Sequence, residues 1–480
     1  MTIDCYPKPP SDRPLTLGSL LVGITLLVAL PVGQASAEQA PPNIVMIFVD
    51  DMGYGDIGPF GNKVNKTPNL DRMAAEGNVL RDFYVSNTAC TPSRAALLTG
   101  TYAHRIGMDG VPGFSVVFPG DSRGLHPDEV TVAEMLKPLG YATGAIGKWH
   151  LGDQPQFMPL SQGFDEYFGI PYSNDMWPGN RNGNPVTGHG PYKPLAIVRG
   201  QRPVAHVADG ADQARLAEAF TDQAIGFIER HQDQPFFLYL SHSHVHAPQF
   251  ADANALEAAD GNVMRATVEQ VDQSVGRVLD KLVELGIDGR TLVIFTTDNG
   301  PAKGFSAGPL RGRKGGNKYE GHMRVPTITW WPSAIPAGVE TTEIVATIDF
   351  LPSVAKLTGA ALPKGRAIDG VDALDVLLGV PGAVSPHSEL YYETQAIRQG
   401  KWKYLNIKGG ELYNLENDLG ETTNVAAAKP KIVRKLSAML RRHNARVASN
   451  TRPAGFAKDA RPILTDVGAL PTLTEYMAAQ

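Results

Sequence analysis

The chain has 480 residues, 42 % of them hydrophobic and 19 % charged, with a formal net charge of −5. That composition is globular rather than disordered, and the length exceeds a typical single domain. The negative balance excludes a global basic footprint for nucleic acid, so any attraction for an anion has to be local.

The N-terminus reads as an export signal at residues 1–37. Lys8 and Arg13 supply positive charge, Leu15 to Val32 is apolar, and Ala35-Ser36-Ala37 gives a cleavage site after Ala37. An uncleaved anchor is the alternative, because the apolar stretch is near spanning length. No later segment reads as a membrane span, so the expected product is exported, to the periplasm or beyond, by the export machinery.

Asn43 to Val49 is a continuous apolar run, read as a buried strand, and it ends in Asp50-Asp51. Residues 68–77 read as a capped helix. Cys90 follows, and with Cys5 inside the leader it is the only cysteine of the mature chain. A lone cysteine is either a small core residue or a reactive one. Thr91 is a plausible N-cap, Pro92 suits a first turn, and Ala95 to Leu98 favour helix. Cys90 is thus expected just ahead of a helix start, an anion-attracting setting to which Arg94 adds charge.

A strand at Ala142 to Ile146 runs into Gly147-Lys148-Trp149-His150, where alternation would point Lys148 and His150 to one side. The Gly-, Pro- and Asn-rich segment from Pro171 to Pro203 is expected to be a long surface loop. Helices are expected from Gln213 to Glu229 and Asn262 to Leu285. Between them Phe236 to Ser241 reads as a strand followed by His242, His244 and His246, which alternate and could line a metal site. Leu292 to Thr297 ends in Asp298-Asn299-Gly300, by itself a turn sequence. Paired with Asp50-Asp51, it offers hard oxygen ligands for Ca²⁺ or Mg²⁺, and no Cys/His cluster suggests zinc. Thr327 to Trp331 is a further strand.

Continuous apolar strands separated by helices predict an α/β fold, a large, mostly parallel (mixed) sheet covered by helices on both faces, at 43–361. From 362 to 480 the pattern changes to short alternating strands around 389–392, 396–398, 402–405 and 411–413, then a helix near Lys431 to His443. A smaller C-terminal α+β domain with a short antiparallel sheet is expected there.

Cys90-Thr91-Pro92-Ser93-Arg94, continued by Ala95-Ala96-Leu97-Leu98-Thr99-Gly100, resembles the signature of the sulfatase family. Gly147 to Gly152 and Glu411 to Asp418 extend the resemblance along most of the chain. It implies that Cys90 is converted by a separate maturation enzyme to formylglycine, whose hydrate attacks the sulfur of a sulfate ester. It implies a divalent cation, usually Ca²⁺ with Mg²⁺ as the alternative, held by Asp50, Asp51, Asp298, Asn299 and the modified Cys90. Lys148, Lys314, Arg94 and the cation would stabilise the sulfate oxygens. His246 would contact sulfate and protonate the leaving alcohol, and His150 would take the proton from the second hydroxyl. Asp298 could assist the attacking oxygen. His242 and His244 would be packing groups. Lys314 is chosen because Lys-Gly matches the family form. Lys318 competes, since one extra residue separates Lys314 from Tyr319-Glu320-Gly321. A phosphonate or phosphate ester hydrolase on the same scaffold is the alternative enzyme, and an inactive binder of sulfated glycans the alternative class. Aryl, sugar and alkyl sulfates all fit the core site.

Overall fold

The computed structural model describes residues 41–109, 115–179, 192–316 and 318–480. The expected leader at 1–37 and residues 180–191 of the expected loop lie outside them. Ten strands build the main sheet: β1 (Asn43–Val49), β2 (Asn78–Leu80), β3 (Ala142–Lys148), β4 (Glu166–Ile170), β5 (Leu195–Arg199), β6 (Arg202–Val207), β7 (Phe236–Ser241), β8 (Thr291–Thr297), β9 (Thr327–Trp330) and β10 (Val339–Thr341). Their spatial order is β10-β2-β9-β8-β1-β7-β3-β4-β5-β6. The centre, β8-β1-β7-β3-β4, is parallel, and antiparallel pairs flank it on both sides.

β1 shows why the centre is parallel and covered. Every residue of Asn-Ile-Val-Met-Ile-Phe-Val is buried. Val45, Ile47 and Val49 enter the core under the helices Gly210–Arg230 and Val263–Glu284, while Ile44, Met46 and Phe48 enter the opposite core with Leu97, Leu98 and Leu351. Strand side chains alternate between faces, so both faces need apolar residues and both need a helical cover. Asp209 and Asn262 cap those two long helices by accepting from first-turn N–H groups.

The C-terminal part forms an antiparallel four-stranded sheet in sequence order, Leu390–Tyr392, Ala396–Gln399, Trp402–Leu405 and Glu411–Asn414. Leu436 and Leu440 of the helix Pro430–Ala448 join Ile397 and Leu412 in one cluster. Tyr392, Leu405 and Tyr413 instead share a core with Leu80, Tyr84 and Tyr319. The expected loop from Pro171 to Pro203 is not all loop, since it contains β5 and the start of β6. Leu195-Ala196-Ile197-Val198 is an apolar run that pairs with β6 once it is buried.

Candidate active site

The parallel register brings four strand ends to one level. Phe48 pairs with Thr296 and Ser241, and Ser241 also pairs with Gly147. Asp50, Asp298, His242 and Lys148 therefore emerge side by side at the carboxyl edge, where open α/β sheets bind ligands. Gly147 has φ +107°, and a Cβ there would lie 1.9 Å from the Ser241 carbonyl oxygen, so the crossing accepts only glycine.

Cys90 is the first residue of the helix Cys90–Thr99, with Ala89 at the N-cap. Thr91 is not the cap. Its hydroxyl donates to the His150 carbonyl at 2.9 Å and accepts from the Val117 N–H at 3.2 Å. The Cys90 thiol is buried, 3.3 Å from Asp50 Oδ1 and 3.2 Å from Lys314 Nζ. Burial, then Asp298 and Asp50, push it well above the ordinary thiol range. The activated setting expected from the helix start and Arg94 is thus outweighed, and the thiol stays protonated near neutral pH.

Arg94 is fully buried behind the carboxylates. It donates to Asp298 Oδ2 at 2.8 Å, to the Lys148 carbonyl at 3.3 Å and to Ser241 Oγ, and lies 3.8 Å from Asp50 Oδ1. Its charge reaches the centre through those groups. Lys148 Nζ pairs with Asp50 Oδ2 and donates to Ser173 Oγ at 3.1 Å. Against burial, Asp50 and Cys90 keep this ammonium above the usual lysine range. Lys314 Nζ lies 2.8 and 3.0 Å from the two oxygens of Asp51, and against burial Asp51 and Cys90 hold it well above that range too. Burial would raise Asp50, but Lys148, His246, Arg94 and Lys314 outweigh it and hold the carboxyl well below normal. Burial and Asp50 push Asp298 up to about 7.

Asp51 and His150 both have left-handed backbones, φ +63° and +61°. Such non-glycine conformations cost free energy and concentrate at functional sites. At His150 the turn ends the strand at Lys148, so simple alternation does not place the two side chains. His150 Nε2 faces the Val117 carbonyl at 3.1 Å, which makes it the donor and leaves Nδ1 bare. That Nδ1 is buried with no hydrogen-bond partner, and burial, with Lys148 and Arg94, holds His150 well below its ordinary value. It is neutral, with the Nδ1 lone pair bare. His246 Nε2 lies 3.6 Å from Asp51 Oδ2 and Nδ1 sits 2.6 Å from the Ala247 carbonyl and 4.0 Å from Asp175 Oδ1. Its side chain is 12 % exposed. His242 and His244 are buried and held down to about 3 and about 4 by burial, and His242 Nε2 bonds Ser274 Oγ at 2.9 Å.

The donor set fits a hard divalent cation. Ligand atoms of Asp50, Asp51, Cys90 and His246 lie within 4.8 Å of one another. Asn299 Oδ1 is buried with no partner, while its Nδ2 is fixed by Asp51 Oδ1 at 2.7 Å and the Gly300 carbonyl at 2.9 Å. Asp298 stands outside that group. Its Oδ1 accepts the Asp51 N–H at 3.2 Å and its Oδ2 serves Arg94.

The two candidate lysines separate. Lys314 touches Asp51 and Cys90, whereas Lys318 Nζ bonds Thr88 Oγ1 at 2.9 Å and Glu393 Oε1 at 2.6 Å. Sequence reasoning missed Ser173, Ser241 and Asp175. Single serines carry no pattern; their only signal is position, Ser241 closing β7 and Ser173 three residues past β4.

Residues 42–360 match the family described as Sulfatase. Arylsulfatase A of Homo sapiens is 38 % identical over 467 residues, covering 86 % of this chain and 89 % of that protein. N-acetylgalactosamine-6-sulfatase of Canis lupus familiaris is 38 % identical over 395 residues, covering 79 % of this chain and 74 % of its own. The PsFucS1 sulfatase from Pseudoalteromonas sp. superposes with a TM-score of 0.76 at 25 % identity, over 87 % of this chain and 92 % of that one.

Proposed function

This chain belongs to the sulfatase family, and from that membership and the site we infer that it hydrolyses sulfate esters using formylglycine made from Cys90 and a divalent cation. The observation that carries the reading is a buried cysteine set between Asp50 and Lys314, its thiol pushed up by burial. A thiol in that state is a poor nucleophile, so the position matters for what replaces it. Cys90 Sγ stands in for the hydrate oxygens, which would supply the attack, while a cation on Asp50, Asp51, Asp298 and Asn299, Ca²⁺ before Mg²⁺, would supply Lewis-acid charge.

The remaining work falls to this chain's side chains. Lys314 and Lys148 would neutralise charge growing on the sulfate oxygens. Arg94 would help hold Asp50 ionised and would fix Asp298 in place through its bond to Oδ2. His246 would donate a proton to the leaving oxygen, and the bare Nδ1 of His150 would accept the proton released when the aldehyde is regenerated. We assign this chemistry to the part at 43–361 and a framing role to 362–480. The leader pattern at 1–37 supports export, and the need for formylglycine implies a maturation enzyme as partner. Among the described residues no helix is long and apolar enough to cross a membrane.

Arylsulfatase A and N-acetylgalactosamine-6-sulfatase among the relatives favour an aryl or sugar sulfate as substrate. Turnover of nitrophenyl sulfate against a phenylphosphonate ester tests the reading. Faster sulfate cleavage, abolished by Cys90→Ala, is expected; faster phosphonate cleavage would transfer the chain to the alternative reaction.

A further inference from the structure

Lys314 and Lys318 stand four residues apart, Lys314 against Cys90 and Lys318 against Glu393. Lys318 has φ +64°, and the residue it pairs with, Glu393, has φ +51°. Glu393 lies in the turn between the strands Leu390–Tyr392 and Ala396–Gln399 of the C-terminal sheet. Two non-glycine residues in the left-handed region, joined by a 2.6 Å ion pair, persist only where the surroundings hold them.

Thr88 is the third member. Its hydroxyl accepts from Lys318 Nζ at 2.9 Å, and its carbonyl accepts the N–H of Gly315, the residue after Lys314, also at 2.9 Å. Two residues on from Thr88 stands Cys90. One residue therefore ties the approach to Cys90 to both ends of the lysine loop, and Glu393 closes the tie from the C-terminal sheet. Lys318 is only 6 % exposed, so the pair is not a screened surface contact.

We propose that Glu393 is a positioning residue: acting through Lys318 and Thr88, it sets Lys314 Nζ against the Cys90 side chain. The proposal rests on the reading of Lys314 as a sulfate contact. Charge stabilisation depends steeply on placement, and a shift of about 1 Å can cost on the order of 100-fold in rate.

The test is a double-mutant cycle on nitrophenyl sulfate with the full chain, with inhibition by inorganic sulfate measured alongside. Glu393→Gln should lower kcat/KM about 10-fold in the wild-type background and less than about twofold beside Lys314→Ala, because coupled residues do not add. Weaker inhibition by sulfate should follow the same pattern. Lys318→Gly, which tolerates φ +64°, removes the ion pair from the other side and should reproduce both results. Equal losses in both backgrounds, or no loss in either, would overturn the proposal. A Lys314→Ala enzyme with intact turnover would overturn instead the role of Lys314 beneath it.

Discussion

Arg94→Met is the perturbation that separates the electrostatics of this site from its packing. Arg94, Lys148 and Lys314 face Asp50, Asp51 and Asp298, three cations against three carboxylates, with Arg94 and both Asp50 and Asp298 wholly out of water. Methionine fills much of the same space but removes the cation bonded to Asp298 and near Asp50. Breaking a buried pair from one side costs about 3–5 kcal/mol. Urea unfolding in chelator should show that deficit against the wild type. Added Ca²⁺ should narrow it, because the cation competes with Arg94 for the same acidic groups and meets less competition in the variant. Tenfold tighter binding narrows the gap by about 1.4 kcal/mol once the cation is saturating. A deficit that Ca²⁺ leaves unchanged or widens would mean that these carboxylates do not hold the cation.

Gly147→Ala should lose roughly 3 kcal/mol or more in urea unfolding or fail to fold, since its Cβ meets the Ser241 carbonyl at 1.9 Å. A variant with wild-type stability would show that β3 and β7 can separate there at little cost. His242 is neutral when folded, held down to about 3 by burial, whereas the unfolded chain binds a proton near 6.5. Its contribution is therefore lost as pH falls below 6.5, at about 1.4 kcal/mol per pH unit, and His242→Gln should flatten the acid limb of stability by that slope between pH 6 and 4; an unaltered limb would refute it. Lys148→Ala and Lys314→Ala should each lower kcat about 10²–10³-fold. Steady-state kinetics on nitrophenyl sulfate checks this, and a loss below tenfold would remove that lysine from the transition state.

The strands that build the site were legible because a strand buried on both faces is a continuous apolar run, and Asp50, Lys148, His242 and Asp298 each fall at the end of one. Three features were not. The turn at His150 is a backbone choice, φ +61°, that alternation cannot anticipate. The start of the Cys90–Thr99 helix lies two residues earlier than expected, at an Ala89 cap, and the Thr91 hydroxyl finds tertiary partners in His150 and Val117 instead of capping. Lys314 was preferred in sequence for its Lys-Gly match with Lys318 as a competitor, and the fold separates them by bringing Glu393 from 75 residues downstream to take Lys318. The state of the Cys90 thiol was misjudged for a related reason: the positive helix start was visible, but the burial and the two carboxylates that oppose it were not.

The central claim is that Cys90 acts only after it ceases to be a cysteine. Mass analysis of the peptide containing Cys90, across preparations of differing activity, tests it most directly. Turnover of nitrophenyl sulfate should rise in proportion to the fraction of peptide that has lost H₂S and gained an oxygen. Full turnover in a preparation whose peptide carries the intact thiol throughout would contradict it.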